Sequence, residues 1–435
     1  MKHGGIVAAA IEVLADIETN HRPASAALTA WAVSHRFAGS GDRSAIGNLV
    51  FDALRNRASI AWRMGADTPR ALAIGAYAQC WGVGIDRLDV AFAADRHSPE
   101  PLTDAEKIAL RTGSLDDAPD WVKGDYPEWL DPAFAAAFDG QAAEEGAALA
   151  IRAPVDLRTN TLKSTRDKVM KDLSRFEPAE TPLSPIGIRL QPGTGPGRSP
   201  NVQSEAAFRK GRFEVQDEGS QLAAYLTGAA PGQQVADVCA GAGGKTLALA
   251  ALTGNKGQIY AWDGDRHRLA GIHERLQRAG ARNVQVREAG KSDALADLAG
   301  KMDVVLVDAP CTGTGTWRRR PDAKWRVSEK ALEDRTADQD AVLALAAPLV
   351  KPGGRLVYVT CSVLPQENDA RVAAFVAAEP AFAPLEPAVF VAATLLPDET
   401  KARLADPALA TRHGLQLTPL RTGTDGFYVS VLERR

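Results

Sequence analysis

The sequence predicts an α/β protein in which a doubly wound parallel sheet is preceded by an all-helical domain and a small α+β module. Three observations lead to this prediction. Through about the first 95 residues, apolar residues recur at three- and four-residue spacings without strand-like alternation. From about residue 231 onward, short apolar runs alternate with helical patterns. The region between these two shows both helix-like and strand-like patterns.

The composition is that of an ordinary globular protein. The chain has 435 residues, of which 45% are hydrophobic and 24% are charged. The formal net charge of −3 means that any nucleic-acid surface must be local. Four cysteines are too few for a disulfide scaffold and fit a reducing compartment. No apolar stretch approaches the roughly 18 residues of a membrane span, so we expect a cytoplasmic protein without a membrane partner. The sequence indicates no oligomeric state, and a monomer is the default expectation.

The first 230 residues divide into three predicted parts. Residues 1–95 form the helical domain, residues 96–130 are a linker rich in Pro, Asp and Gly, and residues 131–230 form the α+β module. The predicted elements are helices at Ile6–Ile17, Ala24–Val33, Ser44–Trp62, Pro69–Gln79, Ala133–Ile151 and Arg166–Leu173, and a strand at Val155–Thr161.

Residues 231–435 form the predicted catalytic domain. Its strands alternate with helices, which is typical of a doubly wound sheet, and two C-terminal runs predict a closing hairpin. The predicted strands are Gln234–Cys239, Gly257–Trp262, Met302–Asp308, Arg355–Thr360, Leu415–Leu420 and Phe427–Leu432, and the predicted helices are Lys245–Leu252, Arg266–Ala279 and Lys330–Leu349.

A glycine-rich turn, DVCAGAGGKT at 237–246, follows the first of these strands. It places backbone N–H groups at a helix start, and Asp263 at the end of the next strand is suited to ribose hydroxyls. A phosphate-binding P-loop would need glycine where Cys239 stands, and the dinucleotide pattern fails at Thr246. The pattern that remains is that of an adenosine-binding site without a pyrophosphate-binding loop. S-adenosylmethionine needs a site of this kind. The alternative is a tight strand–helix turn without a ligand.

Two cysteines, Cys311 and Cys361, follow strand-like runs in the segments VVLVDAPC and RLVYVTCS. Ligands bind at strand carboxyl ends in such sheets, and a thiolate is a good nucleophile, so the pair suggests covalent chemistry. The alternative is two core cysteines, which is the interpretation we give Cys80. The pattern predicts no metal site, because it has no C-x-x-C and no histidine near either cysteine.

The run WRRRPDAKWR at 317–326 interleaves basic and aromatic residues. A solvated basic loop is the ordinary explanation of such a run. Its aromatic residues, next to a catalytic loop, favour contact with phosphates and stacked bases.

At these motifs the chain resembles the RsmB/Sun family of RNA 5-methylcytosine methyltransferases. The resemblance covers most of the chain from about residue 120 onward. It rests on LRTNTLK (157–163), VQDEGSQLAA (215–224), DVCAGAGGKT (237–246), DAPCTGTG (308–315), RRRPDAKW (318–325), VTCSVLPQEND (359–369) and TDGFYVSVL (424–432). The helical N-terminal region, with GDRSAIGNLVFDALRNR (41–57), more weakly resembles a NusB-like domain.

The resemblance implies a Rossmann-like, class I S-adenosylmethionine methyltransferase domain and a role for each cysteine. Cys361 would attack carbon 6 of a cytosine in RNA, ribosomal RNA above all. Cys311 would assist removal of the carbon 5 proton and release of the adduct. The implied cofactor residues are Cys239, Ala240, Gly241, Ala242, Gly243, Gly244, Lys245, Asp263 and Asp308, and the implied RNA-binding residues are Lys324, Arg158 and Asn160.

The chain departs from the family pattern in two places. Ala242 stands where the family often has proline, which the backbone could tolerate. The family usually has an acid near the adenine after the third strand, where this chain has Ala289 and Gly290, with Asp293 slightly late. Three alternative functions remain: methylation of tRNA, methylation of DNA cytosine, and a non-catalytic RNA-binding assembly factor.

Overall fold

The structure is a computed structural model that describes residues 1–93 and 96–435. They form two compact units, each made of several chain segments. The first unit consists of Met1–Ala153, Pro192–Pro200 and Trp317–Val327, and the second consists of Pro154–Gln191, Asn201–Thr316 and Ser328–Arg435. The predicted end of the helical domain at residue 95 lies outside the described residues.

The first unit is helical, and its described residues contain no strand. Helix α1 shows why: Val7, Ala10, Leu14 and Ile17 recur at helical spacing and are buried in one apolar core. The helices of this unit are α1 (His3–Asn20), α2 (Ala24–Ser34), α3 (Ser40–Arg55), α4 (Arg57–Met64), α5 (Pro69–Gln79), α6 (Ile85–Ala93), α7 (Asp104–Thr112), α8 (Asp120–Lys123), α9 (Asp131–Phe138), α10 (Ala142–Ala150) and α17 (Pro321–Lys324).

The segment 96–130, which the sequence predicted as a linker, packs into the first unit. Val122 and Tyr126 are fully buried. The Asp125 carboxylate accepts hydrogen bonds from Ser59 N at 2.9 Å and Ser59 Oγ at 2.7 Å. The few apolar residues are separated by Pro, Asp and Gly, so they give no periodic pattern although they are buried. The segment therefore differs from a solvated connector.

Two long predicted helices are each divided in the structure. The predicted helix 44–62 becomes α3 and α4, which are separated at Asn56. The predicted helix 133–151 becomes α9 and α10, because Asp139 and Gly140 both take positive φ, 35° and 78°. Both α9 and α10 belong to the first unit, so the division into compact units differs from the predicted boundary at residue 131.

The second unit contains a small antiparallel sheet and a large mixed sheet. The small sheet has the order β2-β3-β1-β4, and its strands are β1 (Val155–Thr159), β2 (Ala179–Glu180), β3 (Gly187–Leu190) and β4 (Phe213–Val215). Its short helices are α11 (Arg166–Asp172) and α12 (Ala206–Arg209). The sequence predicted β1 and α11, whereas β2, β3 and β4 were not predicted.

The large sheet has the order β10-β12-β9-β8-β5-β6-β7, with β11 paired to β12. Strands β5 to β9 are parallel, and β12 is antiparallel to β9, β10 and β11. The strands are β5 (Gln234–Asp237), β6 (Gln258–Ala261), β7 (Val284–Val286), β8 (Met302–Asp308), β9 (Val350–Thr360), β10 (Phe382–Pro384), β11 (Leu415–Leu417) and β12 (Phe427–Arg434).

The helices of the second unit precede or follow these strands. They are α13 (Glu218–Leu226), α14 (Gly244–Leu252), α15 (Arg266–Leu269), α16 (Ile272–Ala279), α18 (Glu329–Ala346), α19 (Asp369–Ala378), α20 (Pro387–Ala392), α21 (Asp398–Leu404) and α22 (Pro419–Thr422). The predicted helix 266–279 is thus divided into α15 and α16. The predicted C-terminal hairpin is the antiparallel pair β11 and β12.

Both faces of the large sheet are buried, which explains its continuous apolar runs. Along β8, Val304 and Leu306 belong to one core cluster, and Val305 and Val307 belong to another. A strand whose residues alternate between two cores must be apolar throughout. This arrangement fixes β8 at the centre of the sheet, between β5 and β9.

Candidate active site

The large sheet brings the predicted cofactor and thiol residues to one edge. Because β5, β6, β8 and β9 are parallel, their carboxyl ends meet there. From β5 the chain continues to β6 and β7 on one side, whereas β8 and β9 lie on the other side. The β5–β8 boundary is therefore a topological switch point, which is where open α/β sheets bind ligands.

The glycine-rich turn connects β5 to α14 with a tightly bent backbone. Gly241 and Gly243 take φ values of 50° and 86°, in the left-handed region that favours glycine. At Gly243 a Cβ would also lie 2.8 Å from Ile272 Cγ1, so a side chain has no room. Helix α14 begins at the next residue, Gly244, and so the turn presents backbone groups at a helix start.

The two alanines of the turn are held through their backbone atoms. Ala240 N donates to Trp262 O at 2.9 Å, and this ties the turn to the end of β6. Arg275 donates to Ala242 O at 2.8 Å. The alanine that replaces the family's proline therefore has a fixed carbonyl.

Asp263 follows β6 and is buried against the turn. Its Oδ2 accepts from Gly241 N at 2.9 Å, and its Oδ1 accepts from Asp265 N at 2.9 Å. Each carboxylate oxygen has a further lone pair, so these bonds leave acceptor capacity for a ligand hydroxyl. The contact with Gly241 links the predicted ribose acceptor to the predicted cofactor turn.

Three carboxylates, those of Asp237, Asp263 and Asp308, lie around the turn. Burial raises the pKa of the Cys239 thiol well above its ordinary value, and these carboxylates raise that pKa further. The Cys239 thiol therefore stays protonated and is a poor nucleophile.

Lys245 neutralises one of the three acids. Its Nζ donates to Asp308 Oδ2 at 2.7 Å and lies 5.1 Å from the centroid of the Phe427 ring. The Asp308 side chain remains 32% exposed. In the structure Lys245 holds Asp308, and its predicted contact with the cofactor stays a prediction.

Asp237 carries an unpartnered oxygen. Its Oδ2 accepts from Thr246 Oγ1 at 2.7 Å, while no hydrogen-bond partner for Oδ1 occurs among the described residues. Burial raises the pKa of Asp237 to about 7, against the opposing hydrogen bond from Thr246. A positively charged ligand beside the turn would favour the ionised carboxylate.

These residues fit S-adenosylmethionine. The acidic surroundings of the turn complement the sulfonium and ammonium charges of that molecule, and the Asp263 carboxylate is suited to its ribose. At Gly241 a Cβ would lie 3.9 Å from Asp263 Oδ2, so the glycine keeps the backbone beside the predicted ribose acceptor open.

The two predicted catalytic thiols lie together. Cys311 Sγ and Cys361 Sγ are 3.3 Å apart, and both cysteines are free and partly exposed. Their hydrogen bond and the burial of Cys311 raise the pKa of the Cys311 thiol well above its ordinary value. Cys311 therefore keeps its proton, and either sulfur can be the donor of the hydrogen bond between the two.

A buried acid that the sequence did not single out supports the Cys311 loop. Glu367 is 0% exposed, and its Oε1 accepts from Thr312 N at 2.8 Å. Its Oε2 accepts from Thr312 Oγ1 at 2.5 Å. Gln339 Nε2 donates both to Glu367 Oε1 at 3.0 Å and to Pro310 O at 2.9 Å. The residues on either side of Cys311 are thus bonded to one carboxylate–amide pair.

The Cys361 loop is supported by neutral groups. Thr314 Oγ1 accepts from Val363 N at 2.9 Å and is 2.9 Å from Ser362 Oγ. Asn368 Nδ2 donates to Ser362 O at 3.0 Å. Gly315 N donates to Cys361 O at 3.0 Å, which connects the two cysteine loops directly.

The TDG motif at 424–426 has a structural explanation. Gly426 N donates to Gly315 O at 2.8 Å. A Cβ on Gly315 would lie 2.2 Å from Gly426 O, and a Cβ on Gly426 would lie 2.6 Å from Gly315 Cα. Two glycines are required because the two backbones touch, and this contact holds the TGTG turn after Cys311.

The three predicted RNA-binding residues are buried. Lys324, in the first unit, is 1% exposed, and its Nζ donates to Arg55 O at 2.8 Å. Burial lowers the pKa of Lys324 to about 8. Asn160 Nδ2 donates to Gly211 O and Ala279 O, both at 2.8 Å.

Arg158 is 2% exposed, and its Nε donates to Gln216 Oε1 at 2.6 Å. In this structure none of these three side chains presents its charged or polar group at the surface. Their predicted contacts with RNA stay predictions that this placement does not support.

The end of β7 shows how the chain is arranged where the family has an acid. Trp262 Nε1 donates to Glu288 O at 3.0 Å and to Lys291 O at 3.2 Å. Gly290 N donates to Asp263 O at 3.1 Å. Asp293 is exposed, at the start of a 3₁₀ turn. At the end of β7, the Trp262 side chain and backbone groups thus hold the segment in which the family has an acid.

Comparisons with known proteins agree with this geometry. The family model for the 16S rRNA methyltransferases RsmB/F matches residues 224–433. A ribosomal RNA small subunit methyltransferase B of Sodalis glossinidius is 32% identical over 335 residues, which cover 77% of this chain and 68% of that protein. The chain belongs to the RsmB/F family of 16S rRNA methyltransferases. Membership confirms the predicted family and agrees with the predicted Rossmann-like fold class.

Two further comparisons are consistent with membership. A probable ribosomal RNA small subunit methyltransferase B of Synechocystis sp. is 35% identical over 257 residues, which cover 58% of this chain and 56% of that protein. The alignments with the two relatives thus span 56% and 68% of the relatives' own lengths. The solved structure of a methyltransferase homolog protein from Pyrococcus horikoshii has a TM-score of 0.58 and 26% identity, covering 73% of this chain and 98% of that one.

Neither a candidate metal centre nor a membrane-spanning helix occurs among the described residues. No group of three or more His, Cys, Asp or Glu side chains there is arranged to hold a metal ion. Within the same residues, no helix is both long and apolar enough to span a membrane.

Proposed function

We propose that this chain methylates carbon 5 of a cytosine in small-subunit ribosomal RNA, through a covalent adduct with Cys361. The observation that carries the proposal is the pair of thiols, 3.3 Å apart, at neighbouring strand ends beside an acid-lined cofactor turn. Carbon 5 of cytosine is a poor nucleophile until a covalent adduct forms, and that adduct must afterwards be broken. Two neighbouring thiols suit these two steps, one for forming the adduct and one for breaking it.

In the first step, Cys361 Sγ attacks as a thiolate and forms a bond to carbon 6. The electron pair of the C5–C6 double bond then moves towards carbon 5. Bound S-adenosylmethionine supplies the methyl group that carbon 5 takes up. Lys245 holds Asp308 beside this position, where the free part of the carboxylate is available to the cytosine or the cofactor.

In the second step, Cys311 completes the reaction as acid and base. We assign it the donor role in the 3.3 Å contact with Cys361 Sγ, so that it gives its proton to that sulfur as the C6–S bond breaks. The resulting Cys311 thiolate accepts the proton that leaves carbon 5 while the C5–C6 double bond re-forms. Cys361 ends this step as a thiol and loses that proton to solvent, which restores the thiolate and releases the one proton that methylation sets free.

The direct test is methylation of defined nucleic acids by the purified chain. We expect transfer of labelled methyl groups from S-adenosylmethionine to unmodified 16S rRNA, and bisulfite sequencing should place the product at a single cytosine. A tRNA pool and a DNA duplex of matched sequence are the controls. Equal or greater labelling of tRNA or DNA would contradict the proposed substrate, and absence of S-adenosylmethionine binding in calorimetry would support a non-catalytic assembly factor instead.

We also propose that the helical domain and the small α+β module bind RNA, and that the protein acts as a cytoplasmic monomer. The motif LRTNTLK supports the module's role, although Arg158 and Asn160 are buried and so would shape the module rather than contact RNA. Sedimentation of the purified chain alone and with 16S rRNA would check both points. A stable dimer without RNA would contradict the proposed monomer.

A further inference from the structure

Arg158 borders a small cavity within the second unit. The cavity has a volume of about 180 Å³, and Arg158, on β1, is one of its lining residues. Nε is occupied by Gln216, and no described group accepts a hydrogen bond from either terminal nitrogen. Neither terminal nitrogen is a fully buried atom without a partner, so both reach water at the cavity and are open to an acceptor from outside the chain.

The nearest carboxylate does not supply that acceptor. Glu214 attracts Arg158 electrostatically, but its two oxygens accept from Arg275 at 2.8 Å and Arg278 at 2.6 Å. Burial lowers the pKa of Arg158 to about 10, which still leaves the guanidinium charged at neutral pH. The cavity therefore contains a positive charge that no ion pair among the described residues neutralises.

A second polar group faces the same cavity. Tyr225, on α13, is 8% exposed, and its hydroxyl has no hydrogen-bond partner among the described residues. Burial raises the pKa of Tyr225 to about 12, so the hydroxyl is a donor at neutral pH. Gln221 also lines the cavity, but its amide is already bonded to Ser184 and Gln216.

The remaining walls are mainly apolar. They are formed by Ile186, Ala224, Ala248, Ala251, Leu252 and Leu395, and Thr161 is the other polar residue of the lining. One cation and one hydroxyl donor match a single negative charge, whereas a phosphate dianion would need more donors. The alanine and leucine walls match a short hydrocarbon portion.

We propose that this cavity binds a small organic monocarboxylate, with the carboxylate on Arg158 and Tyr225 and an aliphatic portion against the apolar walls. The site is separate from the proposed methyl transfer, because it uses neither thiol and none of the three acids around the cofactor turn. It shares α14 with that turn, since Ala248, Ala251 and Leu252 lie on the helix that begins at Gly244. A bound carboxylate would therefore stabilise the helix that follows the cofactor turn.

Calorimetry and thermal unfolding of the whole chain with isovalerate test this inference. We expect saturable binding and a rise in Tm with isovalerate concentration. 3-Methylbutanol, which has the same branched shape without the charge, and inorganic phosphate should each bind at least about tenfold more weakly. If isovalerate gives no saturable binding, or if phosphate binds more tightly than isovalerate, the proposal is overturned.

Variants separate the cavity from surface binding. Tyr225→Phe removes one hydroxyl and should weaken isovalerate binding about tenfold, which corresponds to ~1.4 kcal/mol. Ala248→Leu should fill the cavity and abolish binding, whereas Ala374→Leu, at an exposed position of α19, should leave binding unchanged. Binding by Ala248→Leu equal to that of the unmodified chain would place the ligand elsewhere and overturn the proposal.

Discussion

The loops that carry Cys311 and Cys361 hold the same functional group at adjacent strand ends, but by different means. The Cys311 loop is bonded to the buried carboxylate of Glu367, whereas the Cys361 loop is bonded to hydroxyl and amide groups of Thr314 and Asn368. The negative charge of Glu367 adds to the causes that raise the pKa of the Cys311 thiol. The comparison shows that one sheet edge can give two cysteines different surroundings.

The largest expected effect comes from removing the accepting thiol. Cys361→Ala should lower kcat for rRNA methylation by at least about 1,000-fold, because no carbon 6 adduct can form. Binding of S-adenosylmethionine should stay within about twofold, since the cofactor turn lies on other strands. Single-turnover assays with labelled methyl donor give the rate, and full activity of this variant would contradict the assigned roles and favour a DNA-type mechanism.

A smaller effect is expected from the charge behind Cys311. Glu367→Gln keeps the size of the side chain and removes the carboxylate, so the pKa of Cys311 should fall and kcat should decrease about tenfold. The alkylation of Cys311 by iodoacetamide, followed by peptide mass spectrometry, should then begin at lower pH. Glu379→Gln, at an exposed acid, is the matched control. An unchanged alkylation profile would show that Glu367 does not set the difference between the thiols.

The smallest expected effect concerns Asp237, which lies beside the cofactor turn. A change at this residue tests cofactor binding separately from the chemistry of the two thiols. The pKa of Asp237 is raised to about 7, so the folded state holds this proton more tightly than the unfolded state between about pH 4 and 7. Stability therefore falls as pH rises through this window, by at most about 1.4 kcal/mol per pH unit. Asp237→Asn should flatten this dependence in urea unfolding.

The same ionisation should strengthen cofactor binding. As pH rises through about 7, the Asp237 carboxylate becomes charged, so calorimetry should give a several-fold tighter Kd for S-adenosylmethionine. Asp237→Asn should abolish this increase, whereas Asp293→Asn, at an exposed acid, should preserve it. Loss of the pH dependence in the Asp293 variant would instead identify that residue as the missing adenine-side acid.

Much of the catalytic fold could be predicted from the sequence because its signals are local. Met302–Asp308 is β8 with the predicted bounds, since a strand buried on both faces is a continuous apolar run. The turn from Cys239 to Lys245 and both cysteine-bearing loops also lie where predicted, because each motif directly follows its strand. Helices 44–62 and 266–279 are each divided in the structure, since apolar periodicity continues across a break of one or two residues.

What the sequence did not indicate depends on contacts between distant residues. Glu367 stands in a quoted motif, but its role follows from Thr312 and Gln339, which are 55 and 28 residues away. The resemblance implied that Arg158 and Asn160 contact RNA, whereas long-range packing buries both. Lys324 is similarly buried, with its ammonium on a carbonyl 269 residues away. Spacing along the chain contains no signal for such pairings.

The most direct test of the central claim is a denaturing gel of each cysteine variant after incubation with 16S rRNA and S-adenosylmethionine. We predict that Cys311→Ala accumulates a covalent protein–RNA species, because Cys361 still attacks carbon 6 while release is blocked. Cys361→Ala and the double variant should show none. A trapped species with Cys361→Ala, or none with Cys311→Ala, would contradict the division of roles between the two thiols.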